Sequence, residues 1–239
     1  MDARSQIRWE KSRRWVVFGG ALVGFMTVLA VAPILAAPGA SSPATVAVQA
    51  QPTEAAIVGA LQGLLADSVA SVRLAAADAL GDRAATAAVP ALVAAMADTR
   101  SQVREEVAES LGQIADPAAI PVLAQALSDQ SRSVAEAAAR ALGRIRTADS
   151  AARLEDALLL PRDERFRQAV IRALGATGQA SAVEVLEGFL PLADRRLRES
   201  ILESFADAGT GPALAALLRA AASPDASLRL SAAQALAGN

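Results

Sequence analysis

The chain has 239 residues, 53% of them hydrophobic and only 3% aromatic, which favours closely packed helices over strands. It contains no histidine, cysteine or tyrosine. This excludes disulfide bonds, thiol nucleophiles, imidazole bases and zinc sites built from Cys and His. The formal net charge is −2, with +3 on residues 1–14 and −5 on the rest, and the acidic remainder argues against general nucleic-acid binding.

The first 53 residues divide into three segments. Residues 1–14 are basic, residues 15–37 form a stretch of 23 residues without a charge, and residues 38–53 contain three prolines among small polar residues. A helix rises about 1.5 Å per residue, so the uncharged stretch is long enough to cross a hydrocarbon core about 30 Å thick. We therefore predict a basic cytoplasmic N-region, one hydrophobic helix and a linker.

The hydrophobic segment leaves two interpretations open. It is a cleaved signal peptide, with small residues around Ala37 and Ala50 as cleavage sites, or it is an uncleaved signal anchor. Both place the remaining chain on the extracytoplasmic side of the cytoplasmic membrane, in the periplasm or at the cell surface. The length of the apolar run argues against a buried helix of a soluble protein.

Residues 54–239 repeat one pattern six times with a period of 31 residues. Each repeat holds two stretches with apolar residues at a spacing of three or four, as on one face of a helix. A fixed period in this range is typical of a stacked solenoid. Position 0 is the first apolar residue of each second helix: Val72, Val103, Val134, Phe166, Leu197 and Leu228. Glycines at +9 predict left-handed C-terminal caps: Gly81, Gly112, Gly143 and Gly175.

An aspartate stands five residues before position 0 in the first three repeats, and an arginine follows position 0 in all repeats but the third. The aspartates are Asp67, Asp98 and Asp129. Each carboxylate is expected to accept from free N–H groups at the start of the next helix. It is also expected to pair with the arginine of a neighbouring repeat. We interpret this set as a structural ladder between turns.

The pattern D-x-x-x-x-V-R-x-x-A-x-x-A-L-G at residues 67–81, which residues 98–112 follow except for Val107 and Ser110 at the two alanine positions, resembles HEAT repeats of the alanine-rich, phycobilisome-lyase-like (E-Z type) subclass. The resemblance covers about three quarters of the chain. It implies an all-α, right-handed α-solenoid of about six two-helix repeats, preceded here by the one hydrophobic N-terminal helix. Relatives include bilin lyases and a diiron hydroxylase, but the hydroxylase chemistry requires histidine ligands, which this chain lacks.

Positions +2 and +6 of the second helices are predicted to line the inner surface of the solenoid. Arginines concentrate at the centre and acids on both sides, an arrangement that suits an acidic peptide or a carboxylate ligand. The alternative is an ordinary solvated helix face. The candidate partner-binding residues are Glu105, Glu109, Glu136, Arg140, Arg144, Gln168, Arg172, Glu199 and Glu203.

These features favour a non-catalytic protein–protein interaction scaffold or adaptor outside the cytoplasmic membrane, with a protein partner whose identity is unknown. We expect no cofactor, no metal site and no nucleic-acid partner. A membrane-anchored sensor or relay is the first alternative, and a bilin-lyase-like enzyme is the second. The weakly charged last repeat, residues 211–239, further suggests self-association through the C-terminal end.

Overall fold

The computed structural model describes residues 52–237, and this part of the chain is helical throughout, without a strand. The α-helices are α1 Glu54–Leu64, α2 Ala70–Asp82, α3 Val89–Ala95, α4 Ser101–Ile114, α5 Ile120–Ala126, α6 Arg132–Ile145, α7 Ala148–Leu158, α8 Glu164–Thr177, α9 Ala180–Phe189, α10 Arg195–Ala208, α11 Gly211–Ala221 and α12 Ala226–Ala237. Short 3₁₀ turns at Thr86–Ala88 and Pro117–Ala119 lead into α3 and α5. The predicted all-α array of six two-helix repeats is confirmed.

The helices form two layers. The even-numbered helices pack side by side from α2 to α12, and each odd-numbered helix except α9 packs on the even-numbered helix that follows it. Helix α9 packs on α7, α8 and α11. Neighbouring helices approach more closely in the even-numbered layer than in the odd-numbered one. The array therefore curves with the even-numbered helices on its concave side, as expected for stacked repeats.

The core follows the predicted apolar positions. The +8 side chains Leu80, Leu111, Leu142, Leu174 and Phe205 are completely buried, as are the central first-helix leucines. The last repeat departs from the pattern, because Leu214 is 39% exposed and Leu236 is 38% exposed. No further repeat covers their faces within the described residues.

The glycines at +9 are not C-terminal caps, and this prediction was wrong. Gly81, Gly112, Gly143 and Gly175 lie inside their helices, where each faces the next even-numbered helix. A Cβ atom on Gly112 would lie 2.7 Å from the Cα of Ala141. These glycines therefore permit close helix packing, and they do not reverse the chain.

The left-handed positions come three residues later than expected. Ala84, Ala115 and Arg146 have positive φ angles of 46°, 56° and 57°, and glycine takes this position in the next two repeats, at Gly178 and Gly209. Helix α10 ends at Ala208, two residues past Ala206 at position +9, in step with the earlier repeats.

The aspartate–arginine ladder is present between the first three repeats. Arg104 donates to both carboxylate oxygens of Asp129, each at 2.8 Å, and Arg73 binds Asp98 in the same bidentate way. Each aspartate also accepts a backbone N–H two residues on, for example Arg100 N to Asp98 Oδ1 at 2.8 Å. The guanidinium partners lower the pKa of Asp98 and Asp129 below its usual value.

The aspartate–arginine ladder is interrupted at the third repeat, which has Ala135 in place of the arginine. The aspartates of the fourth and fifth repeats, Asp163 and Asp194, are instead the N-cap residues of α8 and α10. Arg162 reaches back to the carbonyl oxygen of Asp129, and its guanidinium lies 5.1 Å from the ring centre of Phe166. The hydrogen bond from Arg162 to Asp129 and an Arg132–Asp163 ion pair join the third and fourth repeats at the turns between their helices.

The hydrophobic helix, the basic N-region and nearly all of the linker predicted for residues 1–53 lie outside the described residues. Within residues 52–237, no helix combines the length and hydropathy needed to span a bilayer.

Candidate protein-interaction surface

The candidate surface is the concave layer of even-numbered helices. All nine predicted residues lie on α4, α6, α8 and α10, at +2, +6 or +10 of their repeats. All nine are at least partly exposed to solvent. The repeat period therefore places a continuous row of polar side chains along the inner side of the array.

The predicted basic centre is smaller than the sequence indicates. Arg140 of α6 donates to the carboxylate of Glu109, which occupies the same +6 position on α4. Arg144 and Arg172 are exposed, and neither hydrogen-bonds to another residue in the part of the chain that the structure describes. The guanidinium groups open to a partner at the centre are therefore those of Arg144 and Arg172.

Three other predicted residues have partners within their own helices. Arg132 lies 3.5 Å from Glu136, and Arg195 lies 2.8 Å from Glu199, each one helical turn away. Gln168 donates to Glu164 at 3.1 Å. Exposed ion pairs of this kind are worth roughly 0.3–0.5 kcal/mol, so they leave these side chains free to exchange partners.

The acidic side of the first two repeats holds a further carboxylate that is not among the nine predicted residues. Glu106 is half-buried at +3 of α4, on the side that faces α2. Burial, followed by repulsion from Asp78, Glu109, Glu105 and Asp82, raises its pKa to about 7. The third, fourth and fifth repeats have the small buried residues Ala137, Ala169 and Ser200 at this position. A glutamate at a position that is small and buried in other repeats is the sequence signal for this half-buried carboxylate.

Replacing Glu106 with glutamine is expected to stabilise the protein at pH 8 by about 1 kcal/mol. This gain is smaller than the free energy of unfolding that corresponds to the whole pKa shift, because solvent screens the charge of a half-exposed group. A raised pKa means that the folded state holds its proton when the unfolded state has lost it. Stability contributed by Glu106 is thus present below pH 4.5 and lost as pH rises towards about 7.

The comparison is made by urea unfolding of the wild type and the variant at pH 4 and pH 8. The gain should appear at pH 8 and vanish at pH 4. Glu203→Gln, which removes an exposed carboxylate of α10, is the control for a general effect of net charge. Equal gains from the two variants at pH 8 would show that Glu106 has no special environment.

A second acidic region lies between α10 and α12. Glu199, Glu203 and Asp207 line a groove of about 470 Å³ together with Ser231 and Gln234. The concave side therefore presents acids over the first two repeats, two open arginines at the centre, and acids again over the last two. In residues 52–237, no group of three or more acidic side chains is arranged to hold a metal ion.

The architecture defines the chain as an α-solenoid with an extended polar inner surface, and comparison with known proteins gives its family. The family model of HEAT repeats matches residues 57–134, 96–174, 120–206 and 160–237. The chain therefore belongs to the HEAT-repeat family, in its lyase-like subclass.

Among solved structures, the chain is similar to the complex of CpcE and CpcF of phycocyanin lyase from Nostoc sp. PCC7120. The identity is 26% and the TM-score 0.55, covering 83% of this chain and 80% of that one. It is similar in fold to a chain of the Pds5–Scc1 complex, with 14% identity and a TM-score of 0.50 over 74% of this chain and 34% of that one. No curated protein matches the chain.

Proposed function

We propose that this protein is a non-catalytic interaction scaffold whose concave side binds a segment of a partner protein. The observation that carries the proposal is the continuous row of exposed polar side chains on successive even-numbered helices. Solenoids use such extended inner surfaces for binding, because each repeat adds a few contacts in register with the next. The chain also has no histidine, cysteine or tyrosine to act as a catalytic group.

The charge pattern describes the partner segment. Arg144 and Arg172 offer planar guanidinium groups for carboxylates near its middle, whereas the carboxylates on both sides favour basic residues towards its ends. Glu106 supports the preference for basic residues, because a cation from the partner would relieve the repulsion between carboxylates that contributes to its raised pKa. The partner segment is thus expected to be acidic at its centre and basic on both sides.

The proposal is tested by crosslinked co-purification of the tagged full-length chain from envelope fractions. The variant Arg144→Glu/Arg172→Glu reverses the open central charges. The matched control, Arg153→Glu/Arg219→Glu, makes the same change of net charge on exposed arginines of the odd-numbered layer. A partner lost only in the first variant supports the proposal. Identical partner sets in the two variants would contradict a role for the concave arginines.

Display on the extracytoplasmic side is a second part of the proposal, and it is supported by the basic and apolar sequence of residues 1–37. The chain has no cysteine, so Gln102→Cys, at an exposed position of α4, gives a single labelling site. It should react with a membrane-impermeant maleimide in cells whose cytoplasmic membrane is intact. Reaction only after that membrane is opened would contradict extracytoplasmic display.

A membrane-anchored sensor or relay differs from the scaffold by keeping residues 15–37 in the mature protein. The mass of the purified mature protein distinguishes the two, because cleavage near Ala37 or Ala50 removes the apolar segment. A mature chain that begins after these residues would contradict the anchored relay and leave the exported scaffold in place.

The likeness to the phycocyanin lyase complex favours a bilin-handling function as the second candidate. In that case the purified protein should bind a bilin and transfer it to an acceptor protein, giving covalently attached chromophore after denaturing gel electrophoresis. Absence of both binding and transfer would contradict this candidate.

A further inference from the structure

Two neighbouring turns on one edge of the solenoid expose leucine side chains. Leu159 follows α7 and is 77% exposed, and Leu192 follows α9 and is 83% exposed. These are the most exposed large apolar side chains in the described part of the chain. Both turns join an odd-numbered helix to the next even-numbered helix, so they lie side by side on the same edge.

The same two turns are rich in arginine. Each nine-residue segment, 159–167 and 190–198, contains three arginines, and together they carry a net charge of +3, although residues 52–237 as a whole carry −5. Arg165 and Arg196 are exposed and donate no hydrogen bond to any other described residue. We call these two segments the basic leucine edge. Its arginines are Arg162, Arg165, Arg167, Arg195, Arg196 and Arg198.

Packing does not account for Leu192. It occupies the position of Asp98 and Asp129 in the second and third repeats, where the carboxylate receives the arginine of the preceding repeat. With leucine there, Arg167 has no carboxylate partner among residues 52–237 and donates to the carbonyl oxygen of Arg162 at 3.2 Å. The substitution thus removes an ion pair and gains almost no burial.

We infer that the basic leucine edge docks on the surface of an anionic lipid bilayer. The two leucines project from turns, so they are placed to enter the boundary between head groups and acyl chains. The surrounding arginines are attracted to the negative surface, and their stems tolerate the apolar region while their charged ends remain with the head groups. The sequence of residues 15–37, which is suited to a membrane helix, adds a reason for this edge to be near a bilayer.

A bilayer fits this edge better than a protein partner does. A protein would need two separate pockets at the spacing of the turns, whereas a fluid bilayer accommodates both leucines without a matching surface. The local positive charge on an otherwise acidic array also selects an anionic surface by charge complementarity.

The test uses single-cysteine variants of the full-length chain, which has no natural cysteine. Leu159→Cys and Leu192→Cys carry a fluorophore that brightens and shifts to the blue in an apolar environment. Leu218→Cys is the matched control, because Leu218 is a 63% exposed leucine on α11, outside the two segments of the basic leucine edge. All three chains keep residues 1–51, so any membrane insertion of that region affects them equally.

With vesicles that contain a third phosphatidylglycerol, the labels at 159 and 192 should report an apolar environment and the label at 218 should not. With vesicles of phosphatidylcholine alone, the response should be lost. Adding Arg165→Gln or Arg196→Gln to the Leu192→Cys chain should weaken docking about fivefold for each arginine, since each contributes about 1 kcal/mol near an anionic surface.

Three outcomes would overturn the inference. One is no response at 159 and 192 with the anionic vesicles, and another is an equal response at 218. The third is a response that needs an added protein fraction and occurs without lipid, which would assign the edge to a protein partner. None of these outcomes bears on the concave side, so the scaffold proposal is tested separately.

Discussion

Replacing Leu142 with alanine is expected to lower the free energy of unfolding by about 2–5 kcal/mol, whereas Leu236→Ala should cost less than about 1 kcal/mol. Both leucines occupy position +8 of a second helix. Leu142 is completely buried between neighbouring repeats, whereas Leu236 is 38% exposed in the last described helix. The central substitution opens a cavity that surrounding helices fill only in part, and the terminal one removes a side chain that water already reaches.

Urea unfolding monitored by circular dichroism measures the two losses. Leu111→Ala should behave like Leu142→Ala, because Leu111 is equally buried one repeat earlier. Arrays of repeats unfold from their ends more readily than from their centre, so the terminal variant should mainly alter the start of the transition. Equal shifts of the midpoint in the central and terminal variants would contradict this distribution of stability.

Gly143→Ala is expected to destabilise the protein by about 1–3 kcal/mol, even though alanine is the better helix former by about 1 kcal/mol. A Cβ atom on Gly143 would lie 2.8 Å from the carbonyl oxygen of Ala173 and 2.9 Å from its Cα. Both of these atoms belong to the backbone of α8, so neither moves aside without shifting the whole helix. The steric cost therefore exceeds the gain in helix propensity.

Gly188→Ala is the matched control, because a Cβ atom on this glycine of α9 would have no neighbour within 4 Å in the described part of the chain. It should stabilise the protein by about 0.5–1 kcal/mol through helix propensity alone. The two alanine substitutions are thus expected to have opposite signs in the same thermal or urea experiment. Stabilisation by both would show that α6 and α8 are not in close contact at Gly143.

The repeat period and the apolar positions could be predicted because they are written six times in the chain. The role of the +9 glycines could not, because a glycine near a helix end has the same sequence context whether it reverses the chain or admits a neighbouring helix. Only the distance to the next helix, as between Gly112 and Ala141, decides between the two. The actual left-handed residues include Ala115 and Arg146, which carry no sequence signal for that conformation.

The candidate surface shows the same division. The repeat period places the nine candidate residues on the even-numbered helices. Which ion pairs and hydrogen bonds they form depends on how neighbouring helices are shifted along their axes, and the period does not give that shift. The Glu109–Arg140 pair could have been found from the sequence, since the two residues stand one 31-residue period apart at the same helix position. The burial of Glu106 and the exposure of Leu192 were missed, although each residue differs in type from the residues at the same position of other repeats, and that difference is the available sequence signal.

The glycine contacts also bear on how such a chain changes length. Each +9 glycine meets a small residue at +7 of the next repeat: Ser110, Ala141, Ala173 or Ser204. Deleting one 31-residue block between them would set Gly81 against Ala141 in place of Ser110 and would lose the hydrogen bond from Ser110 to the carbonyl oxygen of Ala77. The glycine contacts between successive repeats are therefore nearly interchangeable. Gain or loss of a whole repeat would preserve this helix packing and would lengthen or shorten the inner surface.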